Sequence, residues 1–309
     1  MSSRTIRSRE SRDTTSRRSV SGVGLGLRWD FVDELLEKKP ALDFVEISPE
    51  NYMGRGGYYD EALDRAADFW PIVTHGLTMS IGGTDPLRED YLKGLRSFVE
   101  RVKSPWHSDH LCFSTYGGVV LHDLLPIPFK KEEVGRVADR IKRAQDAIGK
   151  PMAVENVSFY LHPGKREMTE AEFLSQVCEA ADCGLMLDVN NAFVNATNFG
   201  FDVDAWMRTA PLDRVVQMHV AGHDWFSEGS WKIGPVPNEP SERRDKLIID
   251  THGSDCCDEV LALLERTLEK TGPVPVLLER DQAIPSLDLL LAEVAKIKVI
   301  WERATAKTA

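Results

Sequence analysis

Histidine, aspartate and glutamate recur in this chain directly after short apolar runs, and that placement suggests chemistry. The segments are Glu46-Ile-Ser-Pro-Glu50-Asn51, His75, His107-Ser-Asp109-His110, Glu155-Asn156, Asp188-Val-Asn190-Asn191, His219 with His223, Asp250-Thr-His252 and Glu279-Arg280-Asp281. One such residue alone is ordinarily a hydrogen-bonding group or a helix cap. Bringing about five carboxylates to one mouth is strongly unfavourable unless cations compensate. Arg280 is the only basic residue in these segments, so metal ions are the simplest compensation. Imidazole and carboxylate without cysteine suit zinc, iron or manganese. The set is large enough for two or three ions. In Asp250-Thr-His252 the outer residues lie two apart, so on an extended segment both point the same way and can grip one ion. Asp188 and Asn191, three apart where a strand turns into a loop, can reach neighbouring ions. His107, His122 and His162 fall outside the pattern: His107 facing the other side of its strand, the other two in loops.

The apolar runs that must position these residues are Val23–Leu27, Asp43–Ile47, Ile72–Thr78, Trp106–Phe113, Met152–Asn156, Leu185–Val189, Val215–Val220 and Pro275–Glu279. Most are continuous rather than alternating, as parallel strands buried on both faces require. Helical patterns separate them, over Asp30–Lys38, Tyr58–Trp70, Leu87–Val102, Lys130–Ile148, Thr169–Ala181, Val203–Thr209, Asp255–Thr271 and Ile284–Glu302. Eight strand–helix units predict an α/β fold, a single (β/α)8 TIM barrel, whose reacting groups belong at the C-terminal strand ends. No nucleotide-binding glycine loop follows a strand; Gly22, Gly24 and Gly26 lie within the first strand and read as close packing. The expected layout is a disordered basic tail over 1–21, the barrel over 22–303 with its site on the C-terminal face, and a short tail over 304–309. The segment Asp224–Asp245, with Trp225, Phe226, Trp231, Pro235, Pro237 and Pro240, reads as one long irregular insertion on the catalytic face.

Of the 309 residues, 42% are hydrophobic, enough for a large core. No apolar run approaches the ~20 residues of a membrane span, so no membrane association is expected. A formal net charge of −11 argues against nucleic acid as a partner. The five cysteines form no CxxC pair, and two of them, Cys256 and Cys257, are vicinal. That pattern reads as free thiols in a reducing, cytoplasmic compartment.

The runs SPENYM (48–53), HGLTMSIGG (75–83), SDHLCFS (108–114), LLPIPF (124–129), LDVNNAFVNATNFGFD (187–202), MHVAGH (218–223) and LIIDTHG (247–253), in this order, resemble the multinuclear non-haem iron-dependent oxidative enzymes. That family includes the enzyme of methanobactin biosynthesis and sits within the xylose isomerase-like barrels. The resemblance spans residues 22 to about 302. It implies a first ion on His75, His110 and a bridging Glu155; a second on Glu155, Asp188, His219 and Glu279; and a third on Asn191, Asp250 and His252. Two to three iron ions of mixed Fe(II)/Fe(III) state are implied, with dioxygen as co-substrate. The implied substrate is a ribosomally made precursor peptide, oxidised at cysteine or, less commonly, at Asp or Asn. A small partner protein would bind its leader. Asp109, Asn156 and His223, beside these ligands, are expected to orient them or move protons; Glu50 and Asn51 are expected to line the cofactor mouth. Two departures stand out. Asn191 replaces the histidine of endonuclease IV-like barrels, and Arg280 replaces the aromatic residue that often follows the family's glutamate. The alternatives are a metal-dependent sugar isomerase or endonuclease IV-like phosphodiesterase on the same barrel, and a non-catalytic metal- or peptide-binding scaffold.

Overall fold

A β-strand buried on both faces alternates its side chains between two cores, and here one of those cores carries the chemistry. The computed structural model describes residues 20–227 and 246–307. Eight parallel strands close a barrel: β1 (Val23–Gly26), β2 (Val45–Ile47), β3 (Ile72–Gly76), β4 (His107–His110), β7 (Met152–Glu155), β8 (Gly184–Asp188), β9 (Val215–Val220) and β12 (Val276–Leu278), in the order β1-β12-β9-β8-β7-β4-β3-β2. Every strand expected from the sequence is present. The helices are α1 (Val32–Lys38), α2 (Tyr58–Ala67), α3 (Glu89–Val102), α4 (Lys131–Ile148), α5 (Glu170–Ala181), α6 (Val189–Phe199), α7 (Val203–Thr209), α8 (Asp258–Thr271) and α9 (Leu287–Ala306). Among the described residues, none is long and apolar enough to cross a membrane.

The outer core packs strands against helices. A smaller inner cluster of Phe44, Val73, Trp106, Ala153, Met186 and Leu277 fills the barrel floor. Two residues further along each strand, on the same inward face, come Glu46, His75, Ser108, Glu155, Asp188 and Glu279. The apolar floor thus fixes the direction of the polar layer above it. Strand β9 obeys the rule only because of an irregularity: β8 pairs Leu185 with Val215 but Met186 with Gln217. The extra residue, Val216, shifts the alternation so that Gln217 and His219 turn inward. Gly24 lets β1 approach β2, since a Cβ there would lie 2.7 Å from the Phe44 carbonyl.

Four expectations need correction. The run Trp106–Phe113 is not one strand: after His110 the chain enters a hairpin of β5 (Cys112–Tyr116) and β6 (Val119–Pro126), so His122 lies on a strand and not in a loop. The insertion after β9 is not irregular at its ends, where β10 (Asp224–Ser227) pairs antiparallel with β11 (Lys246–Ile249); Trp231, Pro235, Pro237 and Pro240 lie outside the described residues, as does the basic tail up to residue 19. Asp188 opens helix α6 rather than a loop. Finally, α9 continues to Ala306, beyond the expected barrel end at residue 303.

Candidate metal centre

The inward polar layer converges on Glu155, at the end of β7. Its Oε2 lies 2.9 Å from His75 Nε2 and 3.1 Å from His110 Nε2. Its Oε1 lies 3.4 Å from His219 Nδ1, which is 3.3 Å from Glu279 Oε2. The two imidazole nitrogens of His75 and His110 face each other at 3.2 Å. These spacings are too short for groups that merely avoid one another. Yet Glu155 Oε2, Asp188 Oδ2, Asn191 Oδ1, His219 Nδ1 and His252 Nε2 are buried without hydrogen-bond partners. Buried acceptors are rarely left so.

The far sides of the rings explain which atoms are free. His110 Nδ1 lies 3.0 Å from the Gly76 carbonyl. A carbonyl only accepts, so Nδ1 carries the proton and the neutral ring turns a bare Nε2 inward. The Glu46 carboxylate takes the Nε2–H of His219 at 3.0 Å, which bares Nδ1. Asp281 Oδ2 takes the Nδ1–H of His252 at 2.8 Å, which bares Nε2, 2.9 Å from Asp250 Oδ1. His75 Nδ1 lies 2.9 Å from Ser108 Oγ. Each imidazole is thus held from behind and turns its other nitrogen forward, a ligand atom once any proton on it is given up, the arrangement of metal-ligating histidines.

Two overlapping groups follow, each with ligand atoms within 4.8 Å of one another: His75–Glu155–His219, and Glu155–Asp188–His219–Glu279. His252, Glu279 and Asp281 also lie this close. The Nδ1 of His252 is already committed to Asp281, however, so its ligand atom is Nε2 on the Asp250 side. His252 holds a left-handed backbone, φ 50°, a strained conformation for a residue with a Cβ and one that clusters at functional sites.

Helix α6 supplies the third side. Asp188 caps it, Oδ1 accepting from the Asn191 amide at 2.6 Å and Oδ2 remaining free. Asn191 donates its Nδ2 to the Asn156 carbonyl at 3.0 Å, which aims Oδ1 into the cavity. Asp250 is held by Asn190 Nδ2 at 2.7 Å and Ser158 Oγ at 3.2 Å. The cavity, about 250 Å³, is lined by His75, His110, Glu155, Asn191, Asp250, His252 and Glu279, with Asn51 and Arg28 among its other residues.

Charge in this layer is not balanced by protein cations. Arg280, expected at the mouth, turns away to Asp255 and Glu293. The lining cation is instead Arg28, committed to Asp281 at 2.6 Å. Burial opposes a proton on His75, but the Glu155 and Glu46 carboxylates outweigh it and raise its pKa to about 9. Burial likewise lowers the pKa of His219, but Glu46 and Glu279 overcome it and drive that pKa well above the usual value. Asp188 is pushed well up by burial and by the Glu155 charge. Rings that hold protons this strongly and a carboxyl that resists ionisation mark an excess of negative charge, which a multivalent cation would balance. The donor set of imidazole, carboxylate and amide oxygen therefore fits metal ions.

The remaining expected residues stand behind this layer. Asn156 has both amide atoms on the Asp188 backbone, at 2.8 and 3.0 Å, and so aligns β7 with β8. His223 Nδ1 donates to Asn190 Oδ1 at 2.8 Å, in a chain that ends on Asp250. Asp109 faces the helices, not the cavity. It is buried with neither oxygen partnered, it fits only because residue 76 is glycine, and burial and the Glu50 charge raise its pKa well above the usual range. Glu50 does not line the cavity: its Oε1 accepts from the Leu77 and Thr78 amides and from Tyr91 OH at 2.7 Å. Of the residues that hold rings in place, Glu46, Ser108 and Asp281 lie in the strand-end segments of the sequence but were given no role there, and Gln217 was not singled out. For Glu46 a signal exists, two residues after Phe44 on one face of β2.

A profile described as "RiPP precursor modification enzyme MbnB/TglH/ChrH" matches residues 22–302. A UPF0276 protein of Acinetobacter baylyi is 40% identical over 284 residues, 92% of each chain. One of Caulobacter vibrioides is 38% identical over 281 residues, 91% of this chain and 94% of its own. Among solved structures, endonuclease IV from Thermus thermophilus is similar with a TM-score of 0.53 at 17% identity, covering 91% of this chain and 99% of that one. An L-ribulose 3-epimerase is similar with a TM-score of 0.56 at 12% identity, covering 93% and 97%. At such identities these two likenesses concern the barrel alone.

Proposed function

Since the chain belongs to the family of RiPP precursor modification enzymes MbnB/TglH/ChrH, we propose that it oxidatively modifies a ribosomally made precursor peptide, most readily at cysteine, using two to three iron ions and dioxygen. The observation that carries this reading is the set of inward-facing nitrogens of His75, His110, His219 and His252, each ring held from behind, around the shared carboxylates Glu155 and Glu279. His75, His110 and Glu155 would hold one ion, Glu155, Asp188, His219 and Glu279 a second, and Asn191, Asp250 and His252 a third. Bound iron would supply the redox chemistry with dioxygen and a Lewis-acidic seat for a substrate thiolate.

The protein's own share is positional. Glu46, Ser108, Asp281 and the Gly76 carbonyl fix ring tautomers. Asn156 and Asn190 set the heights of Asp188 and Asp250. The apolar barrel floor beneath Glu155 keeps water from the buried side. Asn51 and Arg28, at the cavity mouth, would meet the incoming peptide. A small partner that binds the leader belongs to this proposal, as does a cytoplasmic location, with which five unpaired thiols accord.

Metal analysis and Mössbauer spectroscopy on protein purified without chelator or air test the reading. Two to three irons per chain with coupled ferric and ferrous signals are expected, and Glu155→Ala or His219→Ala should lose iron and turnover together. Stoichiometric zinc or manganese that persists when iron is supplied during expression would overturn it in favour of a hydrolytic or isomerising barrel.

A further inference from the structure

A second cavity lies outside the barrel wall, between α5, α6, α7 and the 156–168 segment. Its volume is about 400 Å³. Phe129, Phe159, Phe199, Phe201 and Trp206 line it, with two acids: the buried Glu170, and Asp202, which is exposed and lies 3.4 Å from the Arg208 guanidinium. The rings pack tightly, with Phe159 and Phe199 centroids 4.9 Å apart and Phe129 and Phe159 5.7 Å apart. Glu170 is 8% exposed. Trp206 Nε1 and Asn195 Nδ2 donate to its Oε2, at 3.0 and 3.4 Å. Among the described residues no side chain forms an ion pair with it. Burial pushes its pKa to about 8, and the two hydrogen bonds only partly offset that.

A neutral amide at this position would serve both donors, whereas a buried carboxyl is retained at a price in stability. Nothing in the barrel chemistry uses it. Aromatic faces present negative potential, and an acid among them adds a full charge, a combination that selects a cation over a neutral group of the same shape. The chain's net charge of −11 has the same sense. At the rim, Arg166 is exposed and already donates to His162 Nε2 at 3.2 Å, so its repulsion of an entering cation is screened by solvent.

We propose that this cavity is a binding site for an organic cation, an ammonium or guanidinium head on an aliphatic stem, with Glu170 as its counter-charge and the aromatic rings as its walls. The head group replaces the proton on Glu170, which leaves to solvent. The inference does not rest on the proposed oxidation, and its test needs no metal.

Calorimetric titration of the full chain with n-pentylammonium, beside 1-pentanol of the same shape, at about pH 8, reads the site. The ammonium should bind at least roughly ten-fold tighter than the alcohol, and Glu170→Gln, which keeps an acceptor for Trp206, should remove that preference. Phe199→Leu should weaken the ammonium several-fold with Glu170 in place. A capped glycyl-lysyl-glycine peptide separates two sources of the same chemistry. Binding tighter than pentylammonium assigns the site to a basic side chain of a peptide; exclusion of the peptide assigns it to a free amine. Equal binding of amine and alcohol, no binding of either, or an undiminished preference in a folded Glu170→Gln protein would overturn the proposal.

Discussion

Glu46→Gln is the most informative single change at the metal centre, because it preserves shape and removes one charge. In the native barrel two donors face the Glu46 carboxylate: His219 Nε2, 3.0 and 3.1 Å from its two oxygens, and Gln217 Nε2, 2.6 Å from Oε2. A glutamine offers one oxygen and one NH2, and both donors keep an acceptor only if that oxygen takes the place of Oε2, which lies within reach of each. If the amide nitrogen faces His219, the ring proton moves to Nδ1, the atom 3.4 Å from Glu155 and 3.3 Å from Glu279, and the ligand is blocked. If Gln217 instead turns over, its Oε1, buried and unpartnered, can accept, and His219 loses only the carboxylate's electron push. Changes to such supporting groups typically cost roughly 10–100-fold in metal affinity, about 1.4–2.7 kcal/mol. The Gln217 rearrangement belongs at the low end and the tautomer flip at the high end. Anaerobic competition for ferrous iron against a chromophoric chelator measures the loss directly. An affinity within two-fold of wild type, in a protein whose His219→Ala variant has lost the ion, would refute the claim that Glu46 sets the His219 tautomer.

Metal uptake should strengthen as pH rises toward about 9. His75 keeps its proton up to that pH, so below it an entering ion must expel the proton, at up to roughly ten-fold in apparent affinity per unit; chelator competition at several pH values checks this. Asp281→Ala frees His252 Nδ1 and should lower the iron content by about one ion per chain while the His75–His110–Glu155 group stays loaded; elemental analysis after dialysis is the readout. Glu170→Gln should change how stability depends on pH. The unfolded carboxyl loses its proton near pH 4.5 and the folded one near 8, so the native state holds the extra proton between them and wild-type stability falls there by about 1.4 kcal/mol per unit. Urea unfolding at both ends of the window should show the variant gaining on wild type as pH rises; a constant difference would exclude it. Gly24→Ala places a Cβ 2.7 Å from the Phe44 carbonyl and should destabilise the barrel by ~1–3 kcal/mol in the same assay.

Most of the barrel strands were legible because a strand buried on both faces writes itself as a largely apolar run, as in Leu185–Val189, whereas β4, His107-Ser-Asp-His110, was found only through its apolar flanks. The hairpin of β5 and β6 was not legible, since half of β6 is exposed and only its last residue is buried, so it carries no such run. Helix α6 was hidden by composition. Asparagine is a poor helix former, and VNNAFVNATNF reads as a loop until the amides are traced. Asn190 holds Asp250, Asn191 holds the Asn156 carbonyl, Asn195 holds the Val157 carbonyl and the Phe159 amide, and Asn198 pairs with both backbone groups of Ile248. Tertiary hydrogen bonds override local propensity there. In the centre itself, residue types at strand ends were readable one by one. What periodicity could not provide was the bulge at Val216 that turns His219 inward, or the choice between Arg28 and Arg280 as the cation at the mouth.

Asp188 serves two masters with one carboxylate: Oδ1 closes the first turn of α6 while Oδ2 faces the ligand cluster. The amide of Asn191 therefore reports on the centre through the backbone. A cation that draws charge onto Oδ2 also settles the carboxylate against the helix N-terminus, whose partial positive charge lies on the same side. Removal of metal should thus register as faster hydrogen exchange at the first amides of α6, ahead of the barrel strands, and the helix that carries most of the supporting asparagines should be the part of the fold whose local opening is tied to metal supply.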